Sequence, residues 1–550
     1  QHYCQEKFGA IAKIAWLPDS FGFSWQLPQI FQQSGIDYFV TGKLHWNDTT
    51  KFPHGAFWWQ SPDGTKLLTL MSPPNVAGVM DTNPIIMANY AIAWEDQTGF
   101  SDIFWLPGVG DHGGGPTRDM LEVQQRWRES PFFPQLQFTT ALDYLSTIHQ
   151  QATDKEAVDT IPTWKDELYL EFHRGCYTTH ADQKYFNRRC ESLLYQAELW
   201  SSLATIIIGN ANFCYPKIEL EAAWKKVLFN QFHDILPGTS ISQVFTEANQ
   251  AWREVETTTQ QIITNSLKAI AAQIALPKPP HPDAQPIIVF NALNWPRSEV
   301  VSCPLPADNW SICDLEGQVL TTQISTDNRL LFLAENIPSI GYRLFWLCST
   351  SQEKVKDSIS HNDKELMIDN TLLRVIVNPI TGDLDSIFDQ VNQREILGGA
   401  GNQLQAFTDR GQYWDAWNID PNYSQHPLPP TELKSVEFLE NGPIQWRIRV
   451  IRRLGSSTFC QDYILQISSP ILTINTTVDW QEDHILLKAN FPLRLTSDHA
   501  TYEIPFAAIE RPTRPTNPAE QAKWEVPALR WADLTDDQQN YGIKIGRAHV

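Results

Sequence analysis

Five prolines fall within the twelve residues Ala275–Pro286. No helix and no central strand runs through such a segment, because each proline lacks a backbone donor and fixes φ. The chain is therefore divided there, and the hydrophobic period differs on the two sides. Ahead of the prolines the stripes are helical: Tyr185, Leu193, Leu194, Ala197, Trp200 and Leu203, then Leu220, Trp224, Val227, Leu228 and Phe232. A longer stripe follows, Val244, Phe245, Ala248, Val255, Ile262, Leu267, Ile270 and Ile274, opened by Ser240 with Gln243 in a capping-box pattern. Beyond the prolines, short β-type runs recur between turn residues, among them PIIVFNAL, LLFLAEN, QWRIRVIRRL and ILTINTTVDW. Residues 1–150 instead alternate apolar runs with Gly-rich and polar loops. Ala10–Trp16 and Ile36–Gly42 read as strands with a short helix at Leu27–Gly35 between them; LLTLMSP and DIFWLPGVGDHGGG repeat the strand-then-loop pattern. The expected architecture is an α/β, partial βα-barrel-like domain over 1–160 and a three-helix bundle over 161–275. A Pro-rich linker over 276–286 and all-β sandwich domains over 287–543 complete it.

Charge narrows the range of partners. Lys plus Arg number 42 against 63 Asp plus Glu, a formal net charge of −21, which repels a phosphate backbone or an anionic bilayer. Neither nucleic acid nor a membrane is expected as a partner, and no apolar stretch reaches the roughly 18 residues a spanning helix needs. The 8 Cys show no CxxC spacing, so reduced thiols and a cytoplasmic location are the expectation. The 21 Trp suit a protein that stacks on sugar rings, and equally a large β-rich core.

Four places hold residues suited to chemistry, each with a purely structural alternative. Asp19 follows Pro18 at a strand end, where a carboxylate serves as nucleophile or as helix cap. Asp111 and His112 sit in GVGDHGGGPT, a loop open enough for backbone to approach a ligand, or simply a turn. His233 and Asp234 close an apolar helix, where an imidazole is a metal ligand or a helix-terminus cap. Trp414, Asp415 and Trp417 in YWDAWNID are suited to stacking on and hydrogen-bonding a sugar, or to filling a sandwich core. No G-x-S-x-G elbow occurs. Carboxylates plus His leave metal-assisted hydrolysis and glycoside cleavage by paired carboxylates both open.

Taken together and in order, WLPDSFGFSWQLPQI, the GVGDHGGGPT loop, ELYLEFHRGCYTTHADQK and FNQFHDILPGTSI resemble the family 38 glycoside hydrolases, the α-mannosidases, in their bacterial and cytosolic branch. The likeness continues through VFNALNWPR, DRGQYWDAWNID and ATYEIPFAAIERPT. It implies a retaining enzyme acting on terminal α-linked mannose of oligosaccharides. Asp19 falls on the nucleophile, which is also a metal ligand, and His233 on a zinc-ligand His oriented by Asp234. Asp111 falls on the acid/base position, and His112, Trp414 and Asp415 are placed as substrate-binding. One divalent cation is implied, zinc or alternatively cobalt, with a homo-oligomer possible.

The family's opening HxD motif, which supplies a His and an Asp to the metal, does not precede Asp19. The only earlier His is His2, and no earlier Asp exists. The chain is thus expected to be truncated at its start, lacking the sheet's first strand, to bind zinc poorly and to turn over little. Residues 545–550, IGRAHV, are what ATC GGA AGA GCA CAC GTC encodes, the opening of a common sequencing adapter, so 544–550 are expected to be translated adapter. The alternatives are another metal-dependent carbohydrate hydrolase, such as a polysaccharide deacetylase, and a non-catalytic sugar-binding protein.

Overall fold

The computed structural model describes residues 1–550 except 74–78, 111–113, 134, 154–160, 307–309, 350–365, 412, 537 and 547–550. The N-terminal part is built on a five-stranded sheet of β1 (Ile14–Trp16), β2 (Tyr38–Thr41), β3 (Ala56–Gln60), β4 (Lys66–Met71) and a late strand, Thr163–Trp164, in the order β1-β2-β4-β3 and then Thr163–Trp164. All residues of β2 are buried because both faces of the sheet are covered, which is why it reads as an unbroken apolar run. Val40, Leu68 and Leu70 face Trp94, Tyr144, Leu145 and Ile148 of the helices Pro84–Thr98 and Ala141–Thr153. Phe39, Phe57, Trp59 and Leu67 point the other way, onto Leu27 and Phe31 of the helix Leu27–Gln33.

Three expectations change here. β1, β2 and β4 are parallel, but β3 runs antiparallel to β4, turning through Gly64 at φ 89°, so the sheet is mixed instead of the parallel arrangement of a βα barrel. The strand foreseen over Ala10–Trp16 shortens to Ile14–Trp16, and ahead of it a helix, His2–Phe8, ends at Gly9 in the left-handed region. The strand foreseen in DIFWLPGVG does not form: Ile103, Phe104 and Leu106 pack irregularly onto the sheet core, and Gly108–Val109 pairs with Val79–Met80, with a single further bridge from Val109 to Gly114.

The helices Ala181–Ile208, Lys217–Asn230 and Ser242–Ala271 pack around Cys190, Leu194, Ala197, Leu220, Val227, Ala248, Trp252 and Val255. The capping box at Ser240 and Gln243 is absent. The third helix begins at Ser242, Ile241 provides no side-chain cap, and Gln243 Nε2 reaches forward to Glu247 Oε1 at 2.8 Å. Leu228 (60 % exposed) points outward from the second helix, beside the buried Val227, and Phe232 (53 % exposed) leaves the core because that helix stops at Asn230 and the chain turns.

Residues 275–284 carry no helix or strand, and β structure starts at Gln285–Asn291. Two three-stranded sheets pack through Ile312, Leu330, Phe332 and Phe345. A four-stranded meander, Glu432–Asn441, Gln445–Leu454, Ser457–Gln466 and Thr473–Asp479, packs on Leu366–Asp369, Leu373–Val377 and Leu384–Asp389. The last strand, Tyr541–Gly546, pairs with Trp531–Asp536 and includes residues 544–546; the remaining residues of the adapter expectation, 547–550, lie outside the described residues.

What matters for the site is how this β-rich part docks. Arg511 Nε and Nη2 donate to Glu167 Oε1 and Oε2 at 2.9 and 2.7 Å. Arg174 Nη2 donates to Ala522 O at 2.6 Å, and its guanidinium lies 4.4 Å from the Trp524 ring centroid. These ties seat residues 413–418 over the loops at the end of β1 and β2. Among the described residues no helix is long and apolar enough to cross a membrane.

Candidate active site

Parallel neighbours release their C-terminal loops side by side, and in this sheet the loops after β1 and β2 carry Asp19 and Lys43. Lys43 Nζ lies 3.3 Å from Asp19 Oδ1. The lysine side chain is 6 % exposed and the carboxylate 37 %, so the cation is buried and the carboxylate faces outward. Two glycines allow this closeness. A Cβ on Gly42 would stand 2.3 Å from Ser72 Oγ. At Gly22, φ is 110° and a Cβ would meet Leu168 O at 3.1 Å. The turn at Gly22 leads the chain into the Phe23–Leu168 bridge and leaves Phe21 at the site.

Aromatic rings surround the ion pair. Lys43 Nζ is 4.2 Å from the Trp46 ring centroid, 5.5 Å from Trp417 and 5.6 Å from Phe21. His173 is stacked between Phe21 (centroids 4.0 Å apart) and Trp417 (4.6 Å), fully buried, and neither ring nitrogen has a hydrogen-bond partner among the described residues. Burial first, and then the Lys43 ammonium, push its pKa down to about 3, so the imidazole is neutral. Trp414, 60 % exposed, extends this wall outward against Trp417 (5.3 Å), Phe172 (5.8 Å) and Trp46 (6.1 Å).

The segment Glu171–Tyr177 holds the wall together. Glu171 accepts the backbone N–H of Thr49 at 2.7 Å and of Thr50 at 3.1 Å, and the hydroxyls of both, tying down the loop after Trp46. Burial raises the Asp48 pKa; it also works against Glu171, whose pKa is nonetheless lowered by hydrogen bonds from Asp48, Thr49 and Thr50. Gly175 N donates to Trp417 O at 2.9 Å, and a Cβ there would press on Trp417 and Asn418 backbone at 3.1 Å. Lys184 Nζ donates to Pro237 O at 2.8 Å and to Thr179 O, fastening the loop that carries His233.

His233 meets Phe21 edge-on at 6.1 Å, which brings it to the same cluster as Asp19. Its Nε2 is 3.5 Å from Asp234 Oδ2, while Asp234 Oδ1 accepts the Thr239 hydroxyl at 2.6 Å. Asp234 thus lies beside both the His233 ring and the Thr239 hydroxyl. As a metal centre the set is incomplete. Among the described residues no three of His, Cys, Asp and Glu come together in a way that could hold an ion. Zinc takes about four ligands. Asp19 and His233 alone do not make such a site, and His2 lies exposed on the first helix.

Of the other residues singled out in the sequence, Asp111 and His112 lie outside the described residues. Val109 and Gly114 exchange backbone hydrogen bonds at 3.3 Å across the base of that loop. Asp415 is exposed and faces His484 Nδ1 at 3.3 Å, with no contact to the Asp19 cluster among the described residues. The sandwich-core alternative for Trp414 is set aside by its exposure. Sequence reasoning passed over Lys43, Trp46, Phe21 and His173. The signal available was only that EFHRG and TGKLHW sit beside apolar strands with Gly flanking charged or imidazole side chains.

The chain is similar to known proteins along most of its length. The family described as "Glycosyl hydrolases family 38 N-terminal domain" matches residues 1–167, "Alpha mannosidase middle domain" 171–270 and "Glycosyl hydrolases family 38 C-terminal domain" 368–546. Alpha-mannosidase 2C1 of Mus musculus is 31% identical over 98% of this chain and 49% of its own length. Alpha-mannosidase of Saccharomyces cerevisiae is 28% identical over 99% of this chain and 47% of its own length. The chain thus spans about half the length of the curated relatives it matches. The crystal structure of an alpha-mannosidase from Enterococcus faecalis V583 shares the fold, with TM-score 0.79 at 16% identity over 99% of this chain and 69% of that one.

Proposed function

Because the chain belongs to glycoside hydrolase family 38, we propose that the whole protein is a retaining α-mannosidase acting on terminal α-linked mannose of oligosaccharides. The observation that carries this reading is the half-exposed Asp19 carboxylate beside the buried Lys43 ammonium, under a wall of Phe21, Trp46, Trp417 and Trp414. Aromatic faces and one outward carboxylate suit a sugar ring presented to a nucleophile. An Asp19 oxygen gives its electron pair to the anomeric carbon as the glycosidic C–O bond breaks. The leaving oxygen takes a proton from an acid, for which Asp111 is the candidate. Water, deprotonated by the same group, then attacks the anomeric carbon and the electron pair returns to Asp19. His112, Trp414 and Asp415 are proposed sugar contacts; the exposure of Trp414 supports its part.

A divalent cation, zinc or cobalt, belongs to this reading, with Asp19 and His233 as ligands and Asp234 behind His233. Two donors do not fill a zinc sphere, so no step is derived through it. The 550-residue chain alone is expected to bind zinc weakly and to hydrolyse an aryl α-mannoside poorly. Turnover by it at the whole protein's rate overturns that expectation. In the whole protein, a 2-fluoro-mannoside carrying a reactive leaving group should attach to the peptide containing Asp19. Label on another carboxylate removes Asp19 from the role. No adduct at all, together with metal-dependent release of acetate from an acetylated polysaccharide, favours the deacetylase alternative, which uses no nucleophilic carboxylate.

A further inference from the structure

We propose that Lys43 governs the second half of the reaction, by stabilising the negative charge that returns to Asp19 when the glycosyl–Asp19 bond breaks. The inference rests on the reading of Asp19 as nucleophile. Its basis is an asymmetry in the surroundings of Lys43. Among the described residues Asp19 is the one carboxylate within ion-pair distance of Nζ, at 3.3 Å, and the side chain is 6 % exposed. Around the rest of Nζ stand aromatic faces, those of Trp46, Trp417 and Phe21. Such faces attract a cation but carry no formal charge and accept no proton.

The two half-reactions therefore treat Lys43 oppositely. In the first, an Asp19 oxygen bonds to the anomeric carbon, the glycosidic bond breaks, and the leaving oxygen is protonated by the acid. The carboxylate becomes a neutral ester and the buried ammonium loses its anion, which water cannot replace at that depth. In the second, water oxygen bonds to the anomeric carbon and its proton passes to the base. The carbon–Asp19 bond breaks with both electrons going to the carboxylate, and the ion pair is restored. Lys43 thus disfavours the ester and makes Asp19 a better leaving group, without assisting its attack. It is a positioning residue that works through Asp19.

The split between kcat and KM separates this role from a merely structural one. With an aryl α-mannoside bearing a strongly activated phenolate, kcat/KM reports formation of the ester and kcat its hydrolysis once that is slow. In the whole protein, Lys43→Met, which keeps the buried stem, should lower kcat on the order of tenfold to a hundredfold. KM should fall in parallel, kcat/KM should hold or rise, and a burst of phenolate should appear with the mannosyl-enzyme visible by mass spectrometry. Lys43→Arg should restore kcat and abolish the burst. If the Met variant does not fold, Lys43→Gln is read the same way. Fluoro-sugar labelling of the unmutated protein is done first. No adduct at Asp19 overturns the nucleophile reading and this proposal with it. An adduct at Asp19, together with an equal fall of kcat and kcat/KM and no burst in the Lys43 variants, overturns this proposal alone.

Discussion

His173 gives up all its solvent exposure to lie between Phe21 and Trp417, and it does so without a hydrogen bond from either ring nitrogen among the described residues. Such a ring is tolerable only while neutral. Its pKa falls from the ordinary 6.5 to about 3, so in acid the unfolded chain takes up a proton that the folded chain refuses. Stability therefore drops as the pH falls below about 6.5, by about 2 kcal/mol at about pH 5, and the drop is complete near pH 3. His173→Phe, which keeps the stack and removes the proton site, should flatten that part of the profile. Urea midpoints at neutral and mildly acid pH check it, and an unchanged slope in the variant refutes it. Nothing in the sequence around EFHRG distinguished this imidazole from a surface one, because its environment comes from residues more than two hundred positions away, at Trp417, and from Phe21 far upstream.

At the scale of elements, the helical stripes were legible because 3.6-residue periodicity is a local property. Leu194, Ala197, Leu220, Val227, Ala248 and Val255 are buried where the pattern put them. Helix ends were less so. Ser240 and Gln243 have capping-box spacing, yet the helix starts two residues past Ser240, where the loop carrying His233 and Gly238 is packed against Thr179 and His180. Trp252 was outside the predicted stripe and is fully buried, its Nε1 donating to Gln183 Oε1 at 2.9 Å. Trp252→Ala should cost about 3–5 kcal/mol, since it opens a cavity and leaves Gln183 without its donor. Trp252→Phe should recover most of the packing part. Chemical denaturation of the two variants separates the terms, and a loss below 1 kcal/mol for the alanine contradicts the assignment.

For the molecule as a whole, the docking of the β-rich part onto the α/β part decides whether a site exists. Glu167 and Arg511 pair in a buried, two-pronged contact, and Lys523 Nζ lies 3.1 Å from Glu167. Burial opposes the Glu167 charge, but Arg511 and Lys523 overcome it and lower its pKa. Removing Arg511 takes away the two-pronged partner of the buried Glu167 and leaves it Lys523, so Arg511→Ala should cost about 3 kcal/mol and split unfolding into separate transitions. Calorimetry reads this directly, and one undiminished cooperative transition argues against it. The charge balance, the change of period at the prolines, the apolar strands and the Asp19 and His233 motifs were all determined by the sequence alone, because composition and short-range periodicity need no partner. The antiparallel β3, the burial of Lys43 against Asp19 and the closing of Trp414 and Trp417 over His173 were decided only by the tertiary structure. Each of them depends on contacts between segments distant in the chain, where the cost of an unpaired charge or an exposed ring is set by whatever the fold brings alongside.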